Sequence, residues 1–131
     1  MKKLGRQAFD RARHFLKTQA RPLERALFEY HFESTLPDVV INELARFQNK
    51  DGGFGHALEP DIRTPTSSAL ATGMGLRILT GVMDSDRIDP QVFASSDAPL
   101  MFESAVKFLL NTFDPQTKVW RVVPHDANTY P

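Results

Sequence analysis

The chain contains no cysteine, and that one absence removes disulfides, thiolate zinc sites and cysteine nucleophiles together. Net charge is missing too. Sixteen basic residues balance sixteen acidic ones, and no window is basic enough to track a phosphate backbone, which argues against a nucleic-acid partner. Long apolar runs are the third absence. The opening Met-Lys-Lys-Leu-Gly-Arg starts as a signal peptide starts, but Asp10, Arg11 and Arg13 interrupt before an apolar stretch develops. Neither secretion nor a membrane span is expected, which leaves a cytoplasmic location as the expectation.

What is present suits one ordinary globular domain over residues 1–131, with 41% hydrophobic and 24% charged residues. The apolar periodicity is helical almost throughout, so the expected class is all-α. A first helix over about 5–19 carries Phe9, Ala12 and Leu16 on one face. Pro22 suits the first turn of a second, over about 22–33, with Leu23, Ala26, Leu27 and Tyr30 at helical spacing. Thr35 and Asp38 resemble a capping box ahead of a third helix over about 36–48, striped by Val40, Leu44 and Phe47.

A fourth helix, about 66–83, has Leu70, Met74, Ile78 and Val82 on one side and Leu76 and Leu79 on another, so it should be buried on several sides. Its small residues, Gly73 and Gly75 among them, keep it thin enough for close neighbours. Residues 84–97 read as a surface loop. A fifth helix over about 98–113 places Phe102, Val106, Leu109, Leu110 and Phe113 on one face, and a turn and an extended piece through Trp120 follow.

The most informative stretch is Gln48-Asn-Lys-Asp-Gly-Gly-Phe-Gly55. Adjacent glycines followed by an aromatic and a third glycine demand a tight turn that lays a ring against its neighbours. A weaker echo lies 66 positions on: Phe54 aligns with Trp120, Phe47 with Phe113, Leu44 with Leu110 and Val40 with Val106. The turn chemistry differs, Asp51-Gly52-Gly53 against Thr117-Lys118-Val119. The comparison suggests an internal repeat of helix, polar turn and aromatic.

The octapeptide resembles the Gln-x-x-Asp-Gly-Gly-Phe/Trp-Gly repeat motif of the terpenoid cyclase and protein prenyltransferase α/α-toroid superfamily, and Pro65-Thr-Ser-Ser-Ala69 onward looks like that family's next helix. The resemblance covers residues 36–82 well and 100–123 weakly. It implies antiparallel helix pairs around a central cavity. Five helices make only a partial toroid, so it further implies completion by more chain or by self-association. The family's diagnostic chemistry is absent: there is no thiolate for a zinc prenyltransferase and no Asp-x-Asp-Asp acid motif. Asp84-Ser-Asp86-Arg-Ile-Asp89 has the wrong spacing and reads as a solvated loop.

The densest set of acid–base groups is His56, Glu59 and Asp61, on a loop leading to a helix. These are the candidate catalytic residues, with capping of the fourth helix by either carboxylate as the structural alternative. Phe54 and Arg77 are the candidate ligand contacts. Ser67, Ser68 and Thr72 have no nearby base and read as capping or packing residues. No metal and no cofactor are expected. The sequence thus points to a toroid-fold protein that binds a small apolar molecule or a partner in a helical cavity. The alternative is an enzyme, or part of one, acting on isoprenoid-like substrates.

Overall fold

The computed structural model describes residues 3–83, 91 and 96–130. Five α-helices dominate: α1 (Arg6–Gln19), α2 (Pro22–Phe32), α3 (Pro37–Ala45), α4 (Ala69–Met83) and α5 (Ala98–Thr112). A two-stranded antiparallel ribbon, β1 (Phe113–Asp114) and β2 (Val119–Trp120), and a 3-10 turn at Ala127–Thr129 complete the described elements. The class is therefore mostly helical. Among the described residues no helix is long and apolar enough to cross a membrane. The Asp84–Asp89 segment lies outside the described residues, as does most of the expected 84–97 loop.

The chain divides into two compact units, residues 1–43 and 44–131, with the boundary inside α3. In the first unit α1 packs on α2. Pro22 occupies the first turn of α2, where its missing N–H costs no hydrogen bond. Phe9 of α1 meets Phe28 and Phe32 of α2 at ring-centroid distances of 6.0 and 5.8 Å. Glu33, just past α2, accepts from Lys17 at 2.6 Å and from Arg13. The Lys17 ammonium, helped by Arg13, holds the Glu33 carboxyl below the usual carboxylate range. Leu23, Ala26, Phe28 and Tyr30 of α2 are buried, whereas α1 buries none of its residues completely.

The second unit is organised by the glycine corner. It buries Leu44, Phe54, Leu58, Leu79, Val82, Met101, Ala105 and Phe108, and α4 packs on α5. Several expected boundaries shift for local reasons. α3 ends at Ala45, three residues early, because Gln48 leaves the helix to pair with Phe54. α4 starts at Ala69 instead of 66, because Ser68 also pairs with Phe54 and its hydroxyl accepts from the Ala71 N–H at 3.0 Å. Ser68 is thus the cap of α4, as a hydroxyl at that position should be. α3 begins at Pro37, so Leu36 and not Thr35 precedes it, and the Asp38 carboxylate accepts from Val39 N instead.

The buried face of α5 is a correction. Phe102, Val106 and Leu109 are half-buried and Leu110 is 69% exposed, while Ala98, Met101, Ala105 and Phe108 are buried. The corner meets that face at close range. The Gly52 Cα lies so close to the backbone of Ser104 that a Cβ there would meet the Ser104 carbonyl oxygen at 2.4 Å. Gly53 likewise leaves room for the Phe108 ring, which a Cβ there would meet at 2.8 Å. On α4 likewise the buried set is Ala71, Thr72, Gly75, Leu79 and Val82, and Leu70 is exposed.

Candidate functional site

Gln48 through Phe54 build a hydrogen-bonded knot. The Asn49 N–H donates to Gly53 O at 2.8 Å, Gly52 N to Asn49 O at 3.0 Å and Gly55 N to Phe47 O at 2.9 Å. Gly52 adopts φ +88°, which only glycine takes without strain. The Asp51 carboxylate accepts from Gly53 N at 2.9 Å and from the Ser67 hydroxyl at 2.8 Å. Gln48 reaches furthest: its Nε2 donates to Gly52 O and to Met101 O, both at 2.9 Å, and so ties the corner to α5.

The Phe54 ring fills the space above Gly75 of α4, where an added Cβ would lie 2.9 Å from the ring. Its backbone N–H donates to Thr72 Oγ1 at 3.0 Å, and its carbonyl accepts from Ser68 N at 3.0 Å. The ring is wholly buried. Phe54, a candidate ligand contact from the sequence, is placed as the plug of the core. Arg77, the other candidate, is exposed on α4.

The three acid–base candidates share one loop, but among the described residues no hydrogen bond or ion pair joins any two of them. His56 Nε2 lies 2.8 Å from Asn49 Oδ1. The Asn49 amide nitrogen is fixed by Pro65 O at 2.8 Å and Ser67 Oγ at 2.9 Å, so its oxygen faces the ring and His56 is the donor. His56 and Ala57 both hold left-handed φ values, +54° and +59°, which turn the loop back on itself. Glu59 is half-buried, and Asp61 is exposed beside Arg63 and Asn128 in a shallow groove. Among the described residues no group of three or more His, Asp or Glu could hold a metal ion. Neither carboxylate caps α4, since Ser68 does so.

A pocket of about 350 Å³ opens where the start of α4, the end of α5 and residues 121–126 meet. Ala69, Phe108 and Pro124 give it apolar walls, and Arg121, His125 and Asp126 give it polar ones. Asp126 is held in place by two hydroxyls: Thr66 Oγ1 donates to its Oδ2 at 2.7 Å and Thr64 Oγ1 at 2.9 Å. The Thr66 hydroxyl, then that of Thr64 and the residue's own N–H, keep the carboxyl below its ordinary range, against partial burial acting the other way. Its Oδ1 is buried with no hydrogen-bond partner. Arg121 Nη1 lies 3.2 Å from His125 Nδ1.

Nothing in the sequence singled out Asp126, Arg121 or His125. They follow the last periodic segment, and Asp126 works across 60 residues or more, on Thr66 and Thr64. The only local hint was Pro124 ahead of Asp126, a turn-type pairing.

The second corner repeats part of the first. Lys118 has φ +57° and stands two residues before Trp120, as Gly52 stands two before Phe54, at the same offset of 66. Phe113 pairs antiparallel with Trp120, one residue out of register with the first corner, where Gln48 and not Phe47 pairs with Phe54. The Trp120 ring lies 4.7 Å from that of Phe113, and its Nε1–H donates to Leu109 O at 2.7 Å. It remains 41% exposed, so of the two aligned rings Phe54 alone is buried. Comparison of the chain with family models, with curated proteins and with solved structures finds no match.

Proposed function

We propose that this chain is a non-catalytic helical module on the α/α-toroid plan that binds a small molecule of mainly apolar body in the pocket formed by Ala69, Phe108 and Pro124. The pocket itself carries the reading: at about 350 Å³ it falls in the range of small-molecule sites, with apolar walls and a few convergent polar groups. The glycine corner supports a structural role for the motif, because Gln48, Asn49, Asp51 and Phe54 all spend their polar or apolar surface on neighbours within the fold. The matched left-handed residues at Gly52 and Lys118 support the toroid plan, since a repeated corner is what such a plan requires. Exposed Leu100, Leu110, Val122 and Val123 in the second unit support completion by further chain or by self-association, which sedimentation at rising concentration tests.

Titration of the ¹⁵N-labelled protein with 1-octanol tests the pocket. Saturable amide shifts at Ala69, Phe108 and Thr112 are expected, and Ala69→Leu, which fills the pocket, should abolish them with the helical spectrum unchanged. Shifts absent from these residues, or undiminished in the Ala69→Leu protein, would overturn the reading.

A further inference from the structure

The two aligned corners differ in what closes over them. Leu44 and Phe54 are wholly buried, and α4 closes on the Phe54 ring at Gly75, where a Cβ would lie 2.9 Å away. Their counterparts 66 positions on, Leu110 and Trp120, are 69% and 41% exposed. Trp120 is nevertheless held in place. Its Nε1–H donates to Leu109 O at 2.7 Å, and its ring rests 4.7 Å from that of Phe113. Among the described residues no glycine of a helix closes on it as Gly75 does on Phe54. A tryptophan both exposed and fixed beforehand is the kind of side chain that anchors a protein interface.

A seat of the same kind lies unused on this chain's own surface. Gly75 faces Phe54, and Gly73, two residues away, lies on the opposite side of α4. Gly73, Arg77 and Gly81 follow at four-residue spacing along that side, and all three are exposed. A Cβ at Gly73 or Gly81 would meet nothing within 4 Å. No close approach within the fold therefore calls for either glycine, although glycine is unfavourable inside a helix relative to alanine. Exposed Leu70 and half-buried Met74 supply apolar surface beside Gly73. Arg77 supplies a guanidinium, whose best aromatic partner is an indole. We propose that the two features meet between copies of this chain: Trp120 of one copy docks on the outer side of α4 of a second, its indole over Gly73 and against the Arg77 guanidinium. The contact is head-to-tail, because the surface one copy offers differs from the surface it meets. It rests on the self-association proposed above and gives that association its residues.

Sedimentation of the whole chain over a concentration series tests the contact through two variants. Trp120→Ala removes the anchor. Gly73→Glu fills the seat, while it favours the helix over glycine and can pair with Arg77 one turn on. The parent should associate, and each variant alone should do so at least about tenfold more weakly. An equimolar mixture restores one contact, between Trp120 of the Gly73→Glu chain and Gly73 of the Trp120→Ala chain. It should therefore sediment as a one-to-one dimer and nothing larger. Parent-like association of Gly73→Glu overturns the contact and leaves self-association standing. So does a mixture no more associated than its separate components. A parent that stays monomeric throughout overturns self-association itself. The comparison of Gly73→Glu with the parent decides the matter even where Trp120→Ala does not fold.

Discussion

The two corners of this chain use the same backbone device and reach opposite degrees of burial. At the first, Gly52 at φ +88° turns the chain, and Phe54 then runs under α4, giving its N–H to Thr72 and its ring to the gap at Gly75. At the second, Lys118 at φ +57° turns the chain, and Trp120 then rests on Phe113 with one indole hydrogen bond to Leu109. An aromatic after a left-handed residue is thus not enough to make a plug. A thin helix must follow it. α4 supplies Gly75 against the ring and Ser68 and Thr72 for its backbone, and no described helix does so for Trp120.

Burial sets the largest expected effect. Phe54→Ala should cost about 3–5 kcal/mol in urea unfolding, as deletions of buried aromatics do. Trp120→Ala should cost only about 1–2 kcal/mol, for one aromatic contact and one hydrogen bond. Equal losses would erase the distinction between the corners.

The turn residues sharpen the comparison from the backbone side. Gly52→Ala adds a strained φ and drives a Cβ into the Ser104 carbonyl, so a loss of about 2–4 kcal/mol is expected. Lys118→Gly relieves a left-handed side-chain residue at an exposed site, against glycine's entropy cost. Its stability should stay within about 1 kcal/mol of the parent. Destabilisation by both substitutions to the same extent would mean that the second turn is as constrained as the first.

Ser68→Ala removes the hydroxyl that caps α4 next to the plug, and melting should register a loss of about 1 kcal/mol. Acid should bring out a smaller, pH-dependent difference. Asp126 and Asp114 both have depressed folded-state values, Asp126 through the Thr66 hydroxyl and Asp114 through the Thr117 hydroxyl and the Gln116 N–H. A depressed carboxyl contributes stability that is present above its unfolded value, about 3.9, and is lost as pH falls through the lower folded value. The melting temperature should therefore drop on acidification below about pH 4. Asp126→Asn should remove its own share of that drop. An unchanged acid limb in the variant would deny Asp126 its two hydroxyl partners.

Much of this was legible in the sequence because it is local. The helix periodicities placed the five helices described above, the Gly-Gly-Phe-Gly string specified a tight turn with a packed ring, and Ser68 and Thr72 read as capping and packing residues. What failed was non-local. The large apolar side chains of α5 suggested the face through Phe102, Val106 and Leu109, whereas the close approach of Gly52 to Ser104 and of Gly53 to the Phe108 ring turns the face through Met101, Ala105 and Phe108 inward. The corner's hydrogen bonds also shortened α3 and delayed α4, which periodicity alone does not register. Asp126 was invisible because its partners, Thr64 and Thr66, lie in a different loop far back in the chain. His56, Glu59 and Asp61 stood out for being close in sequence, yet the left-handed pair His56–Ala57 turns their loop so that His56 meets Asn49 and Asp61 faces solvent.

The central claim is that the Phe54 ring and Gly75 interlock, and a double-mutant cycle in urea tests it most directly. Gly75→Ala in the parent places a Cβ 2.9 Å from the ring and should destabilise, despite alanine's helix preference over glycine of about 1 kcal/mol. In the Phe54→Ala background the same substitution meets no ring and should become neutral or stabilising, reversing the sign. Equal stabilisation by Gly75→Ala in both backgrounds would show that ring and helix do not interlock, and would contradict the account.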